Sequence, residues 1–434
     1  MAERPVATRL LVAVWLGQLA SLIGSSLTAF VLGVWVYERT GSVTQFSLIF
    51  LAATVPALVV APLAGTAADS RDRRVLMLTA DSVAAIGTLA LAVLVATGSL
   101  QVWHIYVATA VTAGASTVHQ VAYQAMTPAL VGTKHLARFN GLMQVSRAVQ
   151  IAAPLIAGFL VVTIGVTGVL AVDLATFAVA AGSLLLLRLP RAVTRPAAAS
   201  ADSRGGAAEG WRHLRERRSL LHLMILFGIY NFLFGIAGVL VQPLILSFSS
   251  AATLGVLMFA GGAGLFAGSL VMGAWGGPQR RTRAVLGGLA GAGVALTLHS
   301  LAPSPWLIGI VAPLFLFTLP IVNSSTMTLI QLKTDPAVLG RVLAVARVVG
   351  DAAVPIAYLL AGPLADAVAE PLLAPGGALA GTVGAVIGTG PGRGIALLFA
   401  VTGLAMVLLA AVAARRGSIR GADDLPDAVP ATAS

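Results

Sequence analysis

Arg347 and Asp351 stand four residues apart inside "LGRVLAVARVVGDAAVPIAYLLAGPLAD", a stretch otherwise made largely of Ala, Val, Leu and Gly. On a helix that spacing puts the guanidinium and the carboxylate on one face, where they can pair. Ionisable groups in so apolar a setting are costly, and they are kept where they bind, pair or move protons. Asp351 is the leading candidate for a proton-responsive group, because its ionisation depends on how close Arg347 stands. A permanent structural ion pair would explain the same spacing. Arg147, Asp173 and His119 are isolated in other apolar runs. Arg147 suits an anionic or carbonyl-bearing molecule, or neighbouring backbone carbonyls. Asp173 lies about a turn into its run, and the His119 imidazole ordinarily titrates near neutrality, as a proton relay requires. Asp81, near the end of a run and beside a basic loop, reads as structural.

A second set is polar but uncharged. Gln18, Ser21 and Ser25 follow one another at spacings of three and four, which makes a stripe on one helix. Gln120 and Gln124, Asn231 and Gln242, and Asn323 and Ser324 are similar interruptions of apolar sequence. Such groups orient a substrate in an otherwise apolar pocket, or hydrogen-bond one helix to another. Nothing in the chain resembles a nucleophile with its base. Six scattered histidines and no cysteine give no zinc pattern. There is no GxxxxGK[ST] loop for a nucleotide. "GTGPGRG", at 388–394, has no strand before it and reads as a bend into a helix. The expectation is a protein with no metal, no cofactor and no catalytic residues.

The elements that hold these groups are apolar helices. The chain has 434 residues, 58% of them hydrophobic and 10% charged, with a mean hydropathy of +0.94. That much apolar surface does not fit inside soluble cores, so lipid is the solvent for most of it. Twelve runs approach the ~20 residues needed to cross a bilayer. They lie near 10–37, 44–64, 75–96, 102–128, 139–163, 168–188, 221–247, 251–275, 284–302, 306–332, 340–369 and 392–414. The first is too long for a signal-peptide core and reads as a span. Trp35, Trp103 and Trp306 fall near run ends, as interfacial anchors do.

Charge sets the orientation. A formal net charge of +11 invites nucleic acid as a partner, but its distribution points elsewhere. Apart from Arg39, Arg393, Arg147 and Arg347, every Lys and Arg falls in the N-terminus, the C-terminus or alternate loops that share their side. By the positive-inside rule both termini are cytoplasmic, and no nucleic acid is needed to explain the charge. The longest polar stretch, "RLPRAVTRPAAASADSRGGAAEGWRHLRERRS", begins as a flexible tether, and its "GWRHLRERRS" end suits a short basic amphipathic helix on the inner leaflet. It divides the chain into an N-terminal six-helix bundle (1–190), a cytoplasmic linker (191–220), a C-terminal six-helix bundle (221–414) and a cytoplasmic tail (415–434). A faint internal symmetry accompanies that division: "HLARFNGL" and "VLGRVLAV" precede spans five and eleven, with Arg147 then Pro154 in one and Arg347 then Pro355 in the other.

The loop "GTAADSRDRR", at 65–74, sits between spans two and three. Its Gly65, Asp69, Arg73 and Arg74 fit the pattern Gly-x-x-x-Asp-x-x-x-Arg-Arg. With twelve spans and a long central loop, the chain resembles the major facilitator superfamily over nearly its whole length. It departs from the pattern at Ser70, where a basic residue is usual and Arg71 is placed to substitute, and at Asp72, where glycine is usual. The resemblance implies an all-α fold of two six-helix bundles, with this loop as a conformational latch. In that latch Gly65 lets the helix end and backbones approach, and Asp69 caps a helix or pairs with Arg73 and Arg74. "WLGQLASLIGSSLTAFVLGVWVYERTGS" and "AYQAMTPALVGTKHLARFNGLMQ" are similar to the bacterial macrolide-efflux and enterobactin-exporter branch of drug:proton antiporters. That resemblance implies a plasma-membrane protein that exports amphipathic small molecules by alternating access, against a proton flux; a monomer is expected. Span four lacks the arginine frequent in such exporters. The span-five antiporter pattern appears as Ala153-Pro154-Leu155-Ile156-Ala157-Gly158. A dedicated siderophore exporter and an uncoupled lysophospholipid flippase stay open beside drug or natural-product efflux.

Overall fold

A computed structural model describes residues 8–131, 136–186 and 207–426. Among these residues the regular structure is all helix. Helices α1 (Thr8–Thr40), α2 (Val43–Ser70), α3 (Arg73–Ala96) and α4 (Val102–Val131) follow in order. Helices α5 and α6 share the segment Leu136–Leu186 and meet at Gly165, whose φ of 67° and ψ of 179° only glycine adopts readily. Then come α7 (Ala207–Glu216), α8 (Arg218–Leu246), α9 (Ala251–Trp275), α10 (Arg281–His299) and α11 (Pro305–Lys333). Helix α12 (Pro336–Pro363) runs into a π-helical turn, Leu364–Ala369. The last are α13 (Arg393–Arg415) and the short α14 (Gly417–Arg420).

Nine helical segments among the described residues are long and apolar enough to cross a membrane. One of them, Val149–Leu185, is α5 and α6 counted together. Helix α4 is diluted by His119, Gln120 and several hydroxyls, and α10 opens on Arg281 and Arg283, so neither joins the nine. With these and the division at Gly165, the described residues form twelve long helices, as the apolar runs predict. Their outward surfaces are rich in exposed Leu, Val, Ile and Phe, which suits lipid as solvent.

Local chemistry starts the helices. The Ser42 side chain accepts from the Gln45 amide at 3.2 Å ahead of α2, and Ser304 does the same for Leu307 ahead of α11. Helices α10 and α13 have no side-chain cap of their own. Each borrows one from far along the chain. Asp423 accepts from the Arg281 and Thr282 amides and from the Thr282 hydroxyl at the start of α10. Glu370 accepts from the Ile395 amide at 3.3 Å at the start of α13. In the "GTGPGRG" bend an internal carboxylate therefore takes the place that an anion takes at a helix N-terminus.

The chain forms two compact units, Met1–Ser200 with Ser250–Phe259, and Ala201–Ser249 with Ala260–Ser434. In the first, α1 packs along α5 and α6, α2 along α4, and α3 against α4 and α6. Two apolar clusters hold its ends. One joins Val14, Ala68, Met77, Met126 and Leu184, and the other joins Leu32, Val36, Ile49, Ile105 and Leu170. In the second unit α8 packs on α12 and α13, and α10 on α11 and α13. There the Phe234 and Phe315 rings stack at 5.1 Å, and the buried His299 ring meets Phe315 and Phe399 edge-on.

Candidate functional site

Asp173, on α6, is 1% exposed. Its Oδ2 accepts from Thr28 Oγ1 at 2.8 Å and Thr88 Oγ1 at 3.3 Å, and its Oδ1 from Ser25 Oγ at 3.4 Å. Ser25 and Thr28 come from α1 and Thr88 from α3, so three helices of the first unit converge on one carboxyl. The approach depends on Gly24, because a Cβ there would stand 2.7 Å from Asp173 Oδ1 and 3.0 Å from its Cα. Among the described residues no Lys, Arg or His nitrogen lies within 4.0 Å of this carboxyl. Hydroxyl donors can hold a carboxylate, or they can turn to accept from a carboxylic acid. The cage therefore suits either protonation state, which a fixed cation would not.

A second acid lies on the same helix as Thr88. Asp81 Oδ1 stands 3.8 Å from His119 Nε2 on α4, and the His119 ring stacks on Tyr123. Asp81 Oδ2 and His119 Nε2 are buried and make no hydrogen bond among the described residues. Arg74, Asp81 and Thr88 recur every seven residues along α3, so they share a face, with about 10 Å between neighbours. Asp81 thus stands beside His119 rather than beside the basic loop. Sequence reasoning also missed Thr28 and Thr88. The continuation of the Gln18–Ser21–Ser25 stripe to Thr28 and the seven-residue spacing on α3 were the available signals. Gln18 and Ser21 are buried higher on the same stripe, and both polar ends of the Gln18 amide lack a partner among the described residues.

The other candidates are more dispersed. Gln120 and Gln124 are exposed on α4. Asn231, on α8, donates to the Phe227 carbonyl of its own helix at 2.8 Å, and Gln242 is half-buried further along it. Asn323 is half-buried with its Oδ1 unpartnered, and Ser324 beside it is exposed. The next two residues, Ser325 and Thr326, are fully buried with hydroxyls that make no hydrogen bond among the described residues. Arg347 is exposed on α12. Arg147 and Asp351 fall on α5 and α12, and their side chains lie outside the described residues. Ala153 and Ala157 of the span-five pattern are fully buried, with Pro154 inside the helix.

The 65–74 loop differs from expectation in two respects. Asp72, not Asp69, caps α3, accepting from the Arg74 amide at 2.9 Å and the Val75 amide at 3.3 Å. Asp69 is exposed on the last turn of α2 and makes no ion pair with Arg73 or Arg74. Gly65 neither ends α2, which runs on to Ser70, nor sits at a close approach, since a Cβ there would meet nothing within 4 Å among the described residues. Arg71 is the exposed C-cap of α2. The two arginines that follow bind backbone. Arg73 donates to the Ala68 carbonyl at 3.3 Å and the Ala125 carbonyl at 2.9 Å, and Arg74 to the Leu185 carbonyl at 3.0 Å. They thus place positive charge toward the C-terminal, carbonyl-bearing ends of α2, α4 and α6, where helix dipoles favour it.

Known proteins carry the same architecture. The chain is 25% identical over 360 residues to macrolide efflux protein A of Streptococcus pyogenes, covering 81% of this chain and 88% of that one. It is 24% identical over 309 residues to the protein of the same name from Enterococcus faecalis, covering 70% and 95%. The fold is similar to that of the nucleoside transporter NupG, with a TM-score of 0.73 at 12% identity over 94% of this chain and 99% of that one. It is also similar to a bacterial homologue of the iron transporter ferroportin in an inward-facing state, with a TM-score of 0.68 at 15% identity over 94% and 100%. Residues 14–358 match the family model of the Major Facilitator Superfamily. By that match the chain belongs to the major facilitator superfamily and is a multi-pass membrane transporter.

Proposed function

We propose that this transporter exports amphipathic small molecules from a bacterial cytoplasm by alternating access, and that protons moving inward through Asp173 drive it. The single observation that carries the coupling is the Asp173 cage, a fully buried carboxyl held by three hydroxyls with no cation among the described residues in contact. Such a group answers a change in solvent access by gaining or losing a proton, because its charge has no fixed partner in low dielectric. The Asp81–His119 pair, two turns along α3 from Thr88, supplies a second proton-carrying station. The macrolide-efflux relatives support export and a large amphipathic substrate. The distribution of Lys and Arg supports cytoplasmic termini, which puts the Arg73 and Arg74 contacts on the cytoplasmic side, where a latch on alternating access would act.

In everted membrane vesicles the protein is expected to accumulate a macrolide only while an inside-acid gradient is present. Accumulation should collapse when a protonophore is added. Accumulation that survives the protonophore would overturn proton coupling, and a failure to accumulate macrolides, lipophilic cations and catecholates alike would overturn the export reading.

A further inference from the structure

Helix α7 is tied down on one side and open on the other. A Cβ at Gly210 would fall 2.5 Å from the Arg341 carbonyl oxygen and 3.0 Å from the Val342 amide, so α7 lies directly on the start of α12. Leu214 is fully buried in a cluster with Leu220, Met224, Ile330 and Val342. The Arg217 guanidinium donates to the Lys333 carbonyl at the end of α11. That residue, with φ −105° and ψ 80°, alone separates α7 from the membrane-crossing α8. A helix one residue ahead of a membrane-crossing helix, docked on the ends of its neighbours, stands where that helix meets the bilayer surface.

The open side carries Trp211, 37% exposed, with Arg212 and Arg215 also exposed, and Arg218 exposed at the first position of α8. The Arg215 guanidinium sits 5.5 Å from the centre of the Trp211 ring, a contact that holds both side chains in a fixed arrangement. Glu216 is the one exposed carboxylate described among these residues. Tryptophan prefers the interfacial layer, and arginine forks match phosphate oxygens. We propose that this face of α7 binds the anionic phospholipid headgroups of the leaflet that α8 enters, with Trp211 seated at the interface. The tie to one side of the second unit would make the lipid a fixed part of that unit rather than passing solvent. The inference rests on the membrane topology and not on the coupling mechanism.

The test uses the full-length protein in vesicles of brominated phosphatidylglycerol or brominated phosphatidylcholine mixed with unbrominated lipid. The chain has six tryptophans, so the Trp211 signal is taken as the difference between the protein and its Trp211→Phe variant. One arginine beside an anionic surface is worth about a fivefold gain in local concentration. With three, brominated phosphatidylglycerol should quench Trp211 at a mole fraction at least about tenfold lower than brominated phosphatidylcholine. An Arg212→Gln/Arg215→Gln/Arg218→Gln variant should lose that preference, and the corresponding lysine variant should keep most of it. Equal quenching by the two lipids, or quenching by aqueous acrylamide with none by either lipid, would overturn the proposal. The second result would assign the face to a soluble anionic partner. Both readings come from the parent protein and its Trp211→Phe variant, so they stand even if the triple variant fails to fold.

Discussion

Replacing Gly24 by alanine tests whether α1 and α6 are as close around Asp173 as the structure has them. The new Cβ would stand 2.1 Å from Thr176 Oγ1, 2.7 Å from Asp173 Oδ1 and 3.0 Å from Asp173 Cα. The threonine hydroxyl cannot simply swing away without cost, because it donates to the Asp173 carbonyl at 2.7 Å. The Asp173 Cα cannot move without its helix. The two helices must part by several tenths of an ångström, and overpacking of this kind costs about 1–3 kcal/mol. The same displacement stretches the Thr28–Asp173 hydrogen bond from 2.8 Å toward the limit of a useful bond. In detergent, with the monodisperse fraction followed against temperature, Gly24→Ala should melt several degrees below the parent. Thr176→Ala removes the nearest obstacle, so the double variant should recover part of the loss, a favourable coupling of roughly 0.5–2 kcal/mol. Recovery stays partial because the backbone contact remains. A parental melting curve for Gly24→Ala would refute the close packing. Strict additivity of the two losses would refute the named contact.

Other consequences follow from the borrowed caps and from the arginines. Asp423→Ala removes the cap of α10 and should cost about 0.5–2 kcal/mol in thermal stability. Truncation after Arg416 also removes the acceptors of Lys333 at Asp423 and Leu425, so it should melt lower still, and a truncated protein as stable as the parent would contradict the docking. Arg73→Ala cuts the bond to the Ala125 carbonyl. Because the chain has no cysteine, single cysteines placed along α4 report solvent access on a clean background. Their labelling should change in Arg73→Ala, whereas unchanged labelling would remove the loop from conformational control.

Much of the fold was legible because lipid makes its demands locally. A charge in a lipid-facing helix costs a few kcal/mol, so the charges gather between spans, and the apolar runs between them mark the helices without any long-range information. Caps within a turn of their helix are legible for the same reason. Asp72 serves α3 from one residue away, although the family pattern drew attention to Asp69 instead. The borrowed caps were not legible: nothing in the local sequence connects Asp423 with Arg281, 142 residues earlier. The Asp173 cage falls between these cases. An isolated acid in an apolar run and a hydroxyl stripe on α1 were both visible, but the meeting of Thr28 with Asp173 across 145 residues depends on the packing of α1 against α6. The same holds for Asp81 and His119, whose proximity comes from the crossing of α3 with α4. Gly24 carried its meaning only once the neighbouring helix was in place.

Proton release on substrate binding would report the coupling of Asp173 to transport in a single experiment. Purified protein in weakly buffered detergent solution, with a pH-sensitive dye, would be mixed with a macrolide near neutral pH. The parent protein should release protons in a saturable manner, Asp173→Asn should bind the macrolide with little or no release, and Thr28→Val should fall between them. Equal proton release from the parent and from Asp173→Asn, at equal macrolide occupancy, would contradict it.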